Sequence, residues 1–184
     1  MSKTSLLLYS VGCICFFACF IAINSQSHTV TLNEEKLTFT PLKFYIADVA
    51  DARVNRNLVA LLIVKNKTSR FQVDLKNGAV NDIKNFINHN LKRDTTLRPL
   101  MLIIKEFKLT ETHLPQGMVG GDLKVVFSYS AQLSYQNKHL VDFIGDIHYK
   151  RPINKPINVE AKLRRGIVDG LTYINNWVNK QRDH

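Results

Sequence analysis

The chain has 184 residues and a mass of 21.1 kDa, with 25 Lys and Arg against 15 Asp and Glu, a formal charge of +10. Its 45% apolar content excludes a disordered chain, a collagen-like repeat and a multi-span membrane protein. At roughly 100–200 residues per domain the length predicts one domain, large enough to bury a core without staples.

Lys3 is the only charged residue before Glu34, and Leu6 to Ile23 is an 18-residue apolar stretch. A single positive charge before an apolar run, with small polar residues after it, predicts a secretory signal. Ser25 and Ser27 fit a small-x-small site with cleavage after Ser27. The stretch also nearly reaches the ~20 residues that span a bilayer, so an uncleaved anchor is the alternative. Either way residues 1–27 form a signal peptide or membrane anchor, and residues 28–184 are expected on the far side of a membrane. All three cysteines, Cys13, Cys15 and Cys19, lie in the apolar stretch. The exported part therefore has no disulfide, no thiolate nucleophile and no Cys-based zinc site. Ser10-Val11-Gly12-Cys13 lacks the Leu of a lipobox, so the cysteines read as apolar filler.

Residues 28–36 are polar and without period, which predicts a tether ahead of a domain at 37–184. Leu37–Thr40 alternates as a strand, and Lys43–Asp48 continues it beyond Pro41. Leu58–Val64 is a short apolar run that suits a buried strand, with Lys65–Ser69 as a turn and Phe71–Val73 as hairpin partner. Val80, Ile83, Phe86, Ile87 and Leu91 recur at helical spacing and predict an amphipathic helix of about four turns. Pro99–Thr112 reads as a strand with Met101, Ile103, Phe107 and Leu109 on one face. A breaker-rich loop over Pro115–Gly121 follows. Leu123, Val125, Phe127, Tyr129, Ala131, Leu133 and Tyr135 make an unbroken period of two. A turn at Gln136–Lys138 returns the chain into Leu140–Lys150, and Pro152 and Pro156 end the sheet. Asn158 is an N-cap candidate for a last helix with Leu163, Ile167, Leu171, Ile174, Trp177 and Val178 on one stripe. The order β-β-β-α-β-β-β-α predicts an α+β two-layer sandwich: a mostly antiparallel sheet of five to six strands covered by two amphipathic helices.

Signals for chemistry are sparse. Asp142, Asp146 and His148 share one face of the last strand, in a pattern that suits a metal or acid–base site. A solvated sheet face explains them equally, since Lys150 lies beside them and Phe143, Ile147 and Tyr149 fill the opposite face. No HExxH, GxSxG or glycine-rich phosphate loop occurs, and the remaining histidines are scattered, so no catalytic residue, cofactor or metal is assigned. Lys150, Arg151, Lys155, Lys162, Arg164 and Arg165 form the one local basic cluster, a candidate contact for anionic headgroups. Export makes nucleic acid an unsuitable partner. Asn66-Lys67-Thr68 matches a glycosylation sequon.

The stretch Asp48-Val49-Ala50-Asp51-Ala52-Arg53 ends a strand in an acid–x–Arg turn, and a helix, a meander and a closing helix with Trp177 near its end follow. This pattern, over roughly residues 42–180, resembles the YajG-like envelope lipoproteins and the auxiliary components of ABC transporters that maintain outer-membrane lipid asymmetry. The resemblance implies a non-catalytic envelope protein that binds a protein or lipid partner. It also implies that Asp51 and Arg53 fix the turn as a charge-assisted pair. The expected function is thus an exported binding or assembly protein of the cell envelope, anchored or periplasmic, with edge-strand pairing as a route to a homodimer. The alternatives are an envelope hydrolase using Asp142, Asp146 and His148, and a surface binder of polyanions.

Overall fold

The computed structural model describes residues 28–35, 37–65, 70–132 and 136–181. The expected signal or anchor at 1–27, the sequon at 66–68, and Leu133 and Tyr135 lie outside the described residues. Among the described residues no helix is long and apolar enough to cross a membrane.

The elements in chain order are β1 (His28–Val30), β2 (Phe44–Asp51), β3 (Ala60–Leu62), β4 (Phe71–Leu75), α1 (Ala79–Asn90), β5 (Arg98–Leu114), β6 (Met118–Gln132), β7 (Asn137–Pro152) and α2 (Val159–Lys180). They form an α+β fold with one mixed seven-stranded sheet, in the order β1-β4-β3-β5-β6-β7, and β2 also pairs with β5. The long β5–β6 and β6–β7 ladders are antiparallel, as is β3–β4. The β1–β4, β2–β5 and β3–β5 pairs are parallel. β6 occupies one edge of β5 along its length, so β2 and β3 share the other edge end to end. β2 pairs with Arg98–Ile104 and β3 with Leu109 and Thr110.

Both helices cover the same face, α1 over β2 and β4, α2 over β6 and β7. Leu100, Leu102, Ile104, Phe107 and Leu109 of β5 meet Leu123, Val125, Phe127 and Tyr129 of β6 under the stripe Leu163, Ile167, Leu171 and Ile174. Burying each such side chain stabilises by about 1.5–3 kcal/mol. α2 comes close because its stripe is notched. A Cβ on Gly170 would sit 2.7 Å from the Phe127 ring, so only glycine admits the helix at this height. Asn158 caps α2 as its sequence predicts, its side chain accepting from the Ala161 N–H at 3.0 Å.

The sequence reading needs correction at several points. Residues 28–36 are not a free tether. Their first three residues pair with β4, the Asn33 N–H donates to Glu160 at 2.9 Å, and the Glu35 N–H donates to Asn90 at 2.9 Å. That strap bridges the two helices and, with β1, raises the strand count above the expected five to six. Leu37–Thr40 is not a strand, although Leu37 is buried in the core. The apolar run 58–64 yields only three strand residues; beyond the Val59 backbone bonds to Val73 and Leu109, the Leu58 carbonyl and the Ile63 N–H and carbonyl are bound by side chains. β6 begins at Met118, so the loop expected at 115–121 is shorter than its breakers suggest, and β7 begins at Asn137, inside the turn expected at 136–138. On β5 the face assignment fails halfway. A bulge between Ile104 and Glu106 shifts the parity, so Leu100, Leu102 and Ile104 face the core together with Phe107 and Leu109. Met101 and Ile103 point to the outer face.

Candidate functional site

Asp51 and Arg53 sit where β2 leaves β5. The Arg53 guanidinium grips the Asp51 carboxylate with two bonds, Nε at 3.0 Å and Nη2 at 2.9 Å. It also donates to the carbonyls of Arg56 at 2.8 Å, Leu58 at 3.3 Å and Phe107 at 3.4 Å. The Phe107 carbonyl lies in the part of β5 that neither β2 nor β3 reaches, so the guanidinium stands in for missing strand N–H groups. The Ala52 N–H to Ile104 and the Leu109 N–H to Val59 close the flanks. Burial acts to raise the Asp51 carboxyl, but the bonds from Arg53 outweigh it and hold its pKa below the usual range. The expected turn pair is present, and its task is to splice two short strands onto one long one.

A second buried guanidinium closes the other end of β3. Glu111 is fully buried on the core face of β5. Arg151, at the end of β7, meets it with Nε and Nη2, both at 2.7 Å. The Tyr149 hydroxyl donates to the same carboxylate at 2.8 Å and the Ile63 N–H at 2.7 Å. Tyr149 reaches β5 across β6 because the residue between them is Gly121, where a Cβ would overlap the tyrosine ring. Arg151 also donates to the carbonyls of Ile63 at 2.8 Å and Lys155 at 2.6 Å. Burial pushes the Glu111 carboxyl up, yet the Arg151, Ile63 and Tyr149 bonds prevail and lower its pKa. Burial and the neighbouring carboxylate raise the Tyr149 phenol.

Arg151 and Ile63 of this cluster also line a cavity of about 880 Å³. One wall is the β1–β4–β3 wing, with Val30, Leu62, Phe71 and Val73. The facing wall is the segment that enters α2, with Ile153 and Ile157. Lys65 and Lys155 line the cavity and are exposed, whereas Arg151 is turned to Glu111. The charged lining residue Glu160 is paired with Arg164 at 2.9 Å.

The six-residue basic cluster is not a cationic patch. Arg151 is spent on Glu111, Arg164 is bound to Glu35 and Glu160, and Arg165 pairs with Asp169 at 3.4 Å. Lys162 lies over the Tyr149 ring, 5.2 Å from its centre. Of the six, Lys150 and Lys155 are exposed and make no ion pair among the described residues, Lys150 on β7 and Lys155 in the loop before α2. The cluster dissolves because a strand end and a helix start, adjacent in sequence, present their charges in different directions.

Asp142, Asp146 and His148 lie along the outer face of β7 but are not gathered. Strand geometry sets Asp142 and Asp146 about 13 Å apart. Asp142 is held by Lys105 at 3.1 Å and His139 at 2.9 Å, and His148 pairs with Asp122 at 3.2 Å. A bond from Ser128, followed by those from His139 and Lys105, pulls the Asp142 pKa down to about 2. Among the described residues no three His, Cys, Asp or Glu side chains converge as a metal site.

Sequence reasoning missed Glu111, Tyr149 and the cavity. The signal was there: Glu111 shares parity with Phe107 and Leu109, and Arg151 shares parity with Phe143, Ile147 and Tyr149. A charge on an apolar face calls for a buried partner.

No family model matches the sequence, and no curated protein matches it. Two solved structures are similar in shape at low identity. One is an uncharacterised protein, 10% identical with a TM-score of 0.40, covering 81% of this chain and 99% of its own. The other is a Xanthomonas campestris protein of the family DUF330, 12% identical with a TM-score of 0.43, covering 85% of this chain and 97% of its own.

Proposed function

We propose that this chain is a non-catalytic binding protein of the cell envelope, exported by its apolar N-terminal segment, and that its cavity holds an apolar ligand. The observation that carries the reading is the cavity itself. Its volume of about 880 Å³ falls within the range of roughly 300–1,000 Å³ typical of ligand sites. Its walls are mostly aliphatic and aromatic; of its charged lining residues Arg151 and Glu160 are paired within the protein, and Lys65 and Lys155 are exposed. Apolar surface left uncovered in this way favours an apolar occupant. The auxiliary role in a lipid or envelope transport system implied by the Asp51-x-Arg53 stretch agrees with such a cavity.

The test is photolabelling of the full chain, purified from membranes in mild detergent, with an alkyl diazirine. Adducts are expected on peptides containing Leu62, Phe71 and Ile157. Ile157→Trp, which fills the cavity from a loop, is expected to remove them without lowering Tm. Adducts confined to residues 6–23, or unchanged by Ile157→Trp, defeat the reading.

A further inference from the structure

We propose that the outer edge of β7 is a docking surface for a second copy of this chain, joined strand to strand about a two-fold axis through Gly145. β7 ends the sheet, and among the described residues no strand pairs with its outer edge. Monomeric proteins keep such edges short or interrupt them with proline and bulges, because a row of unpaired N–H and C=O groups pairs readily with another chain. β7 lacks these defences over most of its length. It has 16 residues, no proline before Pro152, and a regular ladder to β6 from Val141 onward. Apolar side chains also stand uncovered at its middle, one on each face. Ile144 is 72% exposed on the outer face. Tyr173 of α2, 37% exposed, lies on the helix side with its ring centre 5.5 Å from that of Phe143.

The charges along the strand select both the second copy and its register. In an antiparallel pair opposite side chains share a face, so a two-fold axis normal to the sheet must pass through a residue. Two axis positions use almost the whole strand, Ile144 and Gly145. An axis at Ile144 sets Asp142 opposite Asp146 of the second copy, and does so twice, which is unfavourable. An axis at Gly145 opposes no like charges: Asp142 meets His148 and Ile144 meets Asp146. On the helix side Phe143 then meets Ile147 and Val141 meets Tyr149, pairings of aromatic and β-branched residues that stabilise sheets. Gly145 meets itself on the axis. Beside it a notch of about 290 Å³, lined among others by Phe143, Ile147 and Gly166, opens under α2. Phe143 of the second copy is a diagonal neighbour of Gly145, within reach of that notch.

The deciding experiment uses the full chain in mild detergent, with Cys13, Cys15 and Cys19 replaced by Ser. On gentle oxidation Asp142→Cys/His148→Cys should form a covalent dimer, about fivefold more than either single variant. Within one chain the two positions lie about 20 Å apart along the strand, too far for an internal bridge. Ile144→Asp would face Asp146 across the axis twice and should raise the dimer Kd, measured by sedimentation, about fivefold. Ile144→Lys faces the same carboxylates with the opposite sign and should leave the Kd unchanged or lower. All three positions are on the outer face, so each variant should keep the wild-type Tm. A chain that is monomeric at micromolar concentration overturns the proposal and leaves the β7 edge to a strand of another protein. Cross-linking by Ile144→Cys alone in preference to the double variant overturns the Gly145 axis. A dimer indifferent to Ile144→Asp, with no bridge between positions 142 and 148, overturns the surface and assigns the association to residues 6–23.

Discussion

Arg53 and Arg151 do the same physical work at opposite ends of β3, and they differ in where their carboxylates come from. Arg53 draws Asp51 from two residues away and spends its remaining donors on three carbonyls. Arg151 draws Glu111 from forty residues away, across β6, and needs Gly121 to let Tyr149 reach the same carboxylate. Between them sits a strand of three residues that shares only two residue pairs with β5. A strand that short has too few ladder bonds to set its own place in a sheet. Its entering carbonyl at Leu58 and its leaving carbonyl at Ile63 are each taken by a guanidinium. The lesson is that a local charge pair splices chain neighbours, whereas a distant one fixes tertiary register.

This difference can be broken open by mutation. The largest effect is expected from Glu111→Ala, which strands Arg151 in the interior and should lower unfolding free energy by about 3–5 kcal/mol in denaturant titrations. Arg53→Met should cost less, about 2–3 kcal/mol, because Asp51 is near enough to the surface to recruit water while the carbonyls lose their donors. Replacing both partners sharpens the contrast. Glu111→Leu/Arg151→Leu should recover most of the single-variant loss, as apolar substitutes for a buried pair often do. Asp51→Leu/Arg53→Leu should recover little, since the Leu58 and Phe107 carbonyls stay unanswered. Acid should separate the pairs from the rest of the fold. The folded pKa values of Asp51 and Glu111 lie below their unfolded values of about 4. Their contribution is therefore complete above that pH and is lost as pH falls through the lower folded values. Melting curves of the wild-type chain should drop in that window, and those of Glu111→Leu/Arg151→Leu should drop less. Asp142→Asn marks the bottom of the scale. Its side chain is more than a third exposed, so solvent screens the pair and a change under about 0.5 kcal/mol is expected.

What could be read in advance follows the range of the interaction. The stripes of α1 and α2, the alternation of β6 from Leu123 to Ala131, the Asn158 cap and the Asp51–Arg53 pair all depend on residues within a turn or two. Each is present. The inward face of β5 was misread because a period of two carries no mark of an inserted residue, and the bulge at Lys105 reverses every assignment upstream of it. β1 is only His28, Thr29 and Val30, too short to show a period of its own, and its strand character comes from pairing with β4. The cavity was invisible for the same reason. Its walls come from residues 28–73 and 151–160, and no local pattern brings them face to face.

The divided edge of β5 has a dynamic consequence. Among the described residues the β1–β4–β3 wing pairs with the rest of the sheet at only Ala60 and Leu61, opposite Leu109 and Thr110, with flanking bonds at Val59 and Ile63. Amide protons within the wing should therefore exchange with deuterium as a cooperative block, sooner than those of the β5–β6 ladder, in an opening that leaves the major half of the molecule folded.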